Sequence, residues 1–380
     1  MKPLEGTLVI DLSQLLSGPS ASLKMADLGA RVIKIEHSEH GDIGRSLYMS
    51  DTRIAGQSSF FAAINRSKES YAVNLKEPDG LAKVNKLITQ ADVVIQNFRP
   101  GVAHRLGLDY ESVRSLKSDI VYGEISGYGT EGAWVGKPGQ DLLVQSLSGL
   151  IWLSGNASSG PVPMGLAVAD MFAGAHLIQG ILAALVRKGV TGEGAHIEVS
   201  MMESIIDFQF EAITTYLQDG GQAVERTASN NAHAYLGAPY GIYQTKDGHL
   251  ALAMGQIPVL GELLSCEALL KYQEKSSWFD QRDEIKATLA AHLETGTTQK
   301  WLNILEPADI WCADVMDWQR LMAHDGFKIL NMIQQVETRG GTSYQTTRCP
   351  ITINDTQLTS TPGFPSLGEN TTELNQEFDL

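Results

Sequence analysis

Over the first 129 residues, short apolar runs alternate with helix-like segments, and this alternation narrows the possible folds more than any other feature. "TLVIDLS" (7–13), "ARVIKIE" (30–36), "SYAVNL" (70–75), "ADVVIQNF" (91–98) and "DIVYGEISGYG" (119–129) read as strands. "GPSASLKMADLG" (18–29) and "PDGLAKVNKLITQ" (78–90) read as helices between them. Strands that are apolar along their whole length need covering on both faces. The pattern therefore predicts an α/β fold with a parallel sheet between helical layers.

From about residue 171 the character changes. "MFAGAHLIQGILAALVR" (171–187) and "SMMESIIDFQFEAITTYLQ" (200–218) read as helices, with a hairpin-like "GEGAHIEVS" (192–200) between them. The polar, glycine-containing stretch 220–237 reads as a crossing linker. "APYGIYQTKDGHLALAMG" (238–255) predicts two strands around a Lys-Asp-Gly turn, because Asp-Gly readily takes the positive φ of a tight hairpin. Helices follow to about 305, and the tail beyond 340 shows turn residues without a long periodic element. A chain of 380 residues is long enough for two or three domain-sized units.

Several functions are excluded on composition. With 29 Lys and Arg against 44 Asp and Glu, the formal charge of −15 disfavours nucleic acid or an anionic membrane as the main partner. Cys266, Cys312 and Cys349 lie far apart with no CxxC pair, so neither a disulfide framework nor a structural zinc site is expected. The N-terminal region lacks a basic segment followed by an apolar run, and no window of about 18 uninterrupted apolar residues occurs. A cytoplasmic setting is expected. The βαβ opening, with Glu36 closing its second strand, invites a dinucleotide-binding reading. Its loop "SQLLSGPSAS" argues against that, since Gly18 stands alone and Pro19 has no N–H to offer a pyrophosphate. His37 and His40 have no further ligand cluster nearby, and no metal is expected.

The stretch "GLAVADMFAG" (165–174) sets one carboxylate, Asp170, among small and apolar residues. Two readings fit. Asp is a favoured helix N-cap. A carboxylate flanked by Ala169, Ala173 and Gly174 is also sterically open to attack an acyl thioester, with the positive end of the following helix stabilising its charge.

The wider pattern resembles the family III CoA transferases, the group that also holds the α-methylacyl-CoA racemases. The correspondence runs through "PLEGTLVIDLSQLLSGP", "LGARVIKIEHSEHGD", "NRSKESYAVNLK", "ADVVIQNFRPG", "LGLDYESV", "ISGYGTEG", "GQDLLVQSLSGL", "ADMFAG", "GEGAHIEVSMME" and "FPSLGEN" in order. The resemblance implies that Asp170 is the nucleophile carrying a CoA thioester. Racemases of the group carry His at the position of Gln140, where an acid–base pair is needed. An amide cannot exchange a proton but can donate to an acyl oxygen, so Gln140 points to transfer.

By the same resemblance, CoA lies along Leu16, Ser17, His37, Val73, Lys76, Asn97, Phe98, Arg105 and Lys137, while Gly255-Gln256 stands for a short lid. The alternatives on this frame are a racemase, an acyl-CoA hydrolase or a catalytically silent CoA-binding protein. The implied fold is a large Rossmann-like domain beginning with 1–219, a linker at 220–237, and a smaller α+β domain at 238–325. Residues 326–380 return to the large domain, and an interlinked homodimer is expected. The substrates are acyl-CoA and a small carboxylic acid, with no tightly bound cofactor.

Overall fold

The computed structural model describes residues 2–380. The chain forms two compact units: one comprises the chain up to Val144, Ala167–Phe208 and Ile329–Leu380, the other Gln145–Leu166 and Gln209–Lys328. Sequence pattern keeps 145–166 with the first unit; in the structure this segment belongs to the second.

The first unit is built on a six-stranded sheet of β1 (Leu8–Asp11), β2 (Arg31–Glu36), β3 (Glu69–Ala72), β4 (Val93–Gln96), β5 (Val121–Ser126) and β6 (Ala195–Ser200). All pairings are parallel, in the order β3-β2-β1-β4-β5-β6. This is the strand order of a doubly wound, Rossmann-like sheet, whose direction of progression reverses between β1 and β4. Val9, Ile10, Ile33, Val94 and Tyr122 are almost completely buried, as expected for strands covered on both faces.

Helices α1 (Ser17–Asp27), α2 (Pro78–Ile88), α3 (Asp141–Leu147), α4 (Val168–Thr191) and α5 (Met201–Phe208) follow in chain order, α3 running on into the second unit. α4 is the longest and, among the described residues, the one helix long and apolar enough to cross a membrane. Ala173, Leu177 and Ile181 on it are fully buried. Gly180 packs against Ile197 of the sheet.

Two expectations are corrected. Residues 192–200 are not a hairpin: Ala195–Ser200 is one strand, β6, paired in parallel with β5 along its length. The tail also carries more structure than its composition suggests. Ile333–Glu337 and Ser343–Thr347 pair antiparallel. The C-terminal helix Thr371–Glu377 sets Leu374 against the core of the sheet, as does Phe378 just beyond it.

The second unit contains the helix Phe210–Gln218 and a three-stranded antiparallel sheet of Gly241–Gln244, His249–Leu252 and Cys312–Asp314. The first two strands flank the Lys246-Asp247-Gly248 turn. Tyr243, Leu250, Leu260, Leu289 and Trp301 form its core.

Candidate active site

Open α/β sheets bind ligands beyond the carboxyl ends of their strands, where the winding reverses. Here that point lies between β1 and β4, and a cavity of about 680 Å³ opens there within the first unit. Its wall includes Leu16 and Ser17 after β1, Asn97 and Phe98 after β4, and Gln140 and Asp170.

The turn after β1 is held by buried charges. Lys34 Nζ donates to the Ser13 carbonyl at 2.7 Å and pairs with Asp42 at 2.7 Å. Asp42 in turn accepts the Leu15 N–H at 3.1 Å. Asp11 accepts the Ser13 N–H at 2.9 Å and pairs with Lys68 at 3.2 Å. Burial pushes the Asp11 carboxyl up, but Lys68 and Lys34 outweigh it and hold it down at about 2. Burial lowers the Lys68 ammonium to about 8. These paired charges fix the turn from beneath, and Leu15 is held at φ 63.

Beyond β5, Gly127 crosses Gly139 so closely that a Cβ on Gly127 would sit 2.6 Å from the Gly139 Cα. That crossing returns the chain to the cavity at Gln140 and starts α3 at Asp141. The Asp141 carboxylate accepts the N–H groups of Ala169 at 2.8 Å and Asp170 at 3.1 Å, capping α4 from outside. Asp170 is therefore not the cap. It lies in the first helical turn, behind an N-cap residue, Ala167, that supplies no side-chain hydrogen bond.

The Ser17 hydroxyl and backbone N–H, at the start of α1, face Asp170 and favour its charged form. Burial, and then the Asp141 charge, push its carboxyl up to about 7 despite those two donors. α1 and α4 can approach because residue 174 is glycine. A Cβ there would meet Ser20 Oγ at 2.2 Å and the Ser17 carbonyl at 2.7 Å. A half-buried carboxylate poised to ionise near neutrality, on a cavity wall and beside small residues, is suited to nucleophilic attack.

Of the residues singled out by resemblance, Leu16, Ser17, Asn97, Phe98, Lys137, Gln140 and Asp170 line this cavity. His37, Val73, Lys76 and Arg105 do not. Val73 packs in the core, and His37 stacks on His40 with ring centroids 3.8 Å apart. Lys76 and Arg105 are exposed. Gly255 and Gln256 line a separate cavity of about 480 Å³ inside the second unit, walled also by Trp278 and Trp311. The Glu124, His196 and Glu198 side chains meet on β5 and β6, His196 pairing with Glu124 at 3.5 Å.

Sequence reasoning missed Asp141 as the cap and Arg99 as a further cation on the cavity wall. Asp141 stands next to Gln140 in "GQD", but no spacing rule links it to a helix start 28 residues away.

The fold and site together define a doubly wound α/β protein with a half-buried carboxylate on the cavity wall at the reversal point of its sheet. The profile of CoA-transferase family III matches residues 4–371, and the chain belongs to that family and is a CoA-transferase. It is 30% identical to the succinate–glutarate CoA-transferase of Agrobacterium fabrum, over 99% of this chain and 96% of that one. It is 31% identical to the acetyl-CoA:oxalate CoA-transferase of Acetobacter aceti, again over 99% and 96%. The crystal structure of a CAIB/BAIF family protein from Brucella suis superposes with a TM-score of 0.85 at 27% identity, covering 100% of both chains.

Proposed function

We propose that this protein moves CoA from an acyl-CoA donor to a small carboxylic acid, dicarboxylates included, through an aspartyl-CoA thioester on Asp170. The observation that carries the reading is the Asp170 carboxylate on the cavity wall at the sheet's reversal point, beside Ser17. The relatives named for glutarate and oxalate support a dicarboxylic acceptor.

An oxygen of Asp170 adds to the acyl carbon of the donor, the C–S bond breaks, and CoA leaves as thiolate from a mixed anhydride. The thiolate adds to the Asp170 carboxyl carbon and the donor acid departs as its carboxylate. The acceptor carboxylate then displaces CoA from Asp170, and the returning thiolate takes the acceptor's acyl carbon, freeing Asp170. No net proton moves, and each unfavourable exchange is divided into easier ones. Leu16, Ser17, Asn97 and Phe98 lie along the CoA arm. Lys137 meets its phosphates on the cavity wall, exposed Arg105 meets them only beyond that wall, and Gln140 donates to the acyl or acceptor oxygen. His37, Val73 and Lys76, off the cavity wall, carry less of the CoA contact.

The enzyme works in the cytoplasm as an interlinked homodimer. Apolar side chains left open in each unit support a second copy: Val190 is 85% exposed and Trp318 80%. Light scattering should return twice the chain mass.

The test of mechanism is mass spectrometry of the intact protein after mixing with succinyl-CoA, with hydroxylamine trapping and peptide mapping. A CoA adduct or hydroxamate on Asp170, absent in Asp170→Ala, is expected. Failure to form any adduct across a panel of acyl-CoA donors would overturn the reading.

A further inference from the structure

The hydroxyl that faces Asp170 and favours its charge is that of Ser17, and that hydroxyl is itself held. Asn97, the first residue after β4, uses its whole amide on the turn after β1. Its Oδ1 accepts the Gln14 N–H at 2.8 Å, and its Nδ2 donates to the Gln14 carbonyl at 2.8 Å. Nδ2 also donates to Ser17 Oγ at 3.2 Å. The paired bonds to residue 14 fix which end of the amide is nitrogen, because turning it over would set donor against donor and acceptor against acceptor. Ser17 Oγ therefore accepts from Asn97, which leaves its own proton free to turn toward the Asp170 carboxylate on the same cavity wall. Ser17 is buried, at 4% exposure.

We propose that Asn97 is a positioning residue for the transfer reaction: its amide aims the Ser17 hydroxyl at Asp170, linking the sheet's reversal point to the reactive carboxylate. The inference rests on the reading of Asp170 as the group that carries CoA. Without Asn97 the hydroxyl can swing to a nearby backbone carbonyl, as serine side chains in a first helical turn readily do. Asp170 then loses a donor to its charged form and ionises less readily. The charged group facing Asp170 from the neighbouring element is Asp141, at the start of α3. Arg99, Lys137 and Tyr128 are the other ionisable groups on the cavity wall.

The experiment is single-turnover thioester formation with succinyl-CoA, read by mass spectrometry from pH 5 to 9. The proteins compared are wild type, Ser17→Ala, Asn97→Ala, the double variant and Asn97→Asp. Each alanine variant should slow the step about tenfold at neutral pH and move the midpoint to higher pH. The double variant should be no worse than the poorer single. Asn97→Asp keeps the bond to the Gln14 N–H but draws the hydroxyl proton to itself, so it should be slower than Asn97→Ala. A wild-type midpoint in Asn97→Ala, or additive effects in the double variant, would overturn the inference. Adding Asn97→Ala to Ser17→Ala should leave the midpoint where Ser17→Ala put it, a comparison that stands even where the asparagine change lowers stability. Absence of thioester on the wild type would sink the parent reading. A wild-type thioester with an unmoved Asn97→Ala midpoint would sink only this one.

Discussion

Asp141 holds Asp170 by the backbone and opposes it through charge. Its carboxylate caps the helix by accepting the Asp170 N–H at 3.1 Å, while the same negative charge helps to raise the Asp170 carboxyl to about 7. Asp141→Asn keeps an oxygen for the cap and removes the charge. The pH midpoint of thioester formation should then fall by roughly one unit. A midpoint that stays near 7 would mean that burial alone raises it.

A carboxylate tuned this way costs stability. Burial and the Asp141 charge push the folded Asp170 carboxyl up from 3.8 to about 7, so the folded state holds its proton more tightly. Above about pH 7 the group is ionised in both states, and the full penalty applies, on the order of 4 kcal/mol at most. The penalty shrinks as pH falls below 7 and vanishes below about 4, where both states are protonated. Asp170→Asn should therefore abolish the thioester yet raise the melting temperature at pH 8, with the gain fading by pH 4. Equal gains at both pH values would refute the electrostatic account.

The sheet could be read from sequence wherever strands are apolar throughout, as in β1, β2 and β4. β6 failed that test because it is an edge strand with alternating half-buried and exposed positions. That alternation, next to Gly192 and Gly194, looks like a hairpin. The C-terminal helix was invisible because it sets few side chains, Leu374 and Phe378 among them, against a core made by distant strands. Asp170 stood out locally as a carboxylate among small residues. Its surroundings did not, because Ser17, Asn97 and Asp141 reach it from 153, 73 and 29 residues away. Such contacts come from strand order, which single-sequence periodicity does not encode.

The packing of α1 on α4 sets Ser17 facing Asp170, and Gly174 lies in that contact. In Gly174→Ala the new methyl would lie 2.7 Å from the Ser17 carbonyl, a backbone atom that cannot rotate aside. The helices must separate, at a cost of about 1–3 kcal/mol. Thioester formation should fall further than the loss of stability explains, since the shift moves both Ser17 donors. Urea unfolding beside single-turnover rates measures the two effects; a destabilised variant with an unchanged rate would show that the donors tolerate the shift.

Lys34 tests whether the charges under the turn are needed as pairs. It is fully buried between Asp42 and the Ser13 carbonyl. Lys34→Met leaves Asp42 without its cation and should cost about 3–5 kcal/mol. Lys83, paired with Asp79 on the surface of α2, is the control. Lys83→Met should cost no more than about 1 kcal/mol, because water screens an exposed pair. Similar losses for the two variants in urea unfolding would contradict a structural role for the buried network.

A change at Gln140 tests loading and transfer separately. Its side chain is exposed on the cavity wall, so Gln140→Ala should leave stability within about 0.5 kcal/mol of wild type. If its amide donates to the incoming acid, the loss is one hydrogen bond to a charged group, about 1.5–3 kcal/mol. Transfer from a preformed Asp170 thioester to the acceptor should then slow by roughly 10- to 100-fold, with loading from succinyl-CoA nearly unchanged. The measurement is a two-step chase: load with succinyl-CoA, remove excess donor, then add glutarate or oxalate and follow decay of the adduct. Slower loading with normal decay would place the amide on the donor acyl group instead.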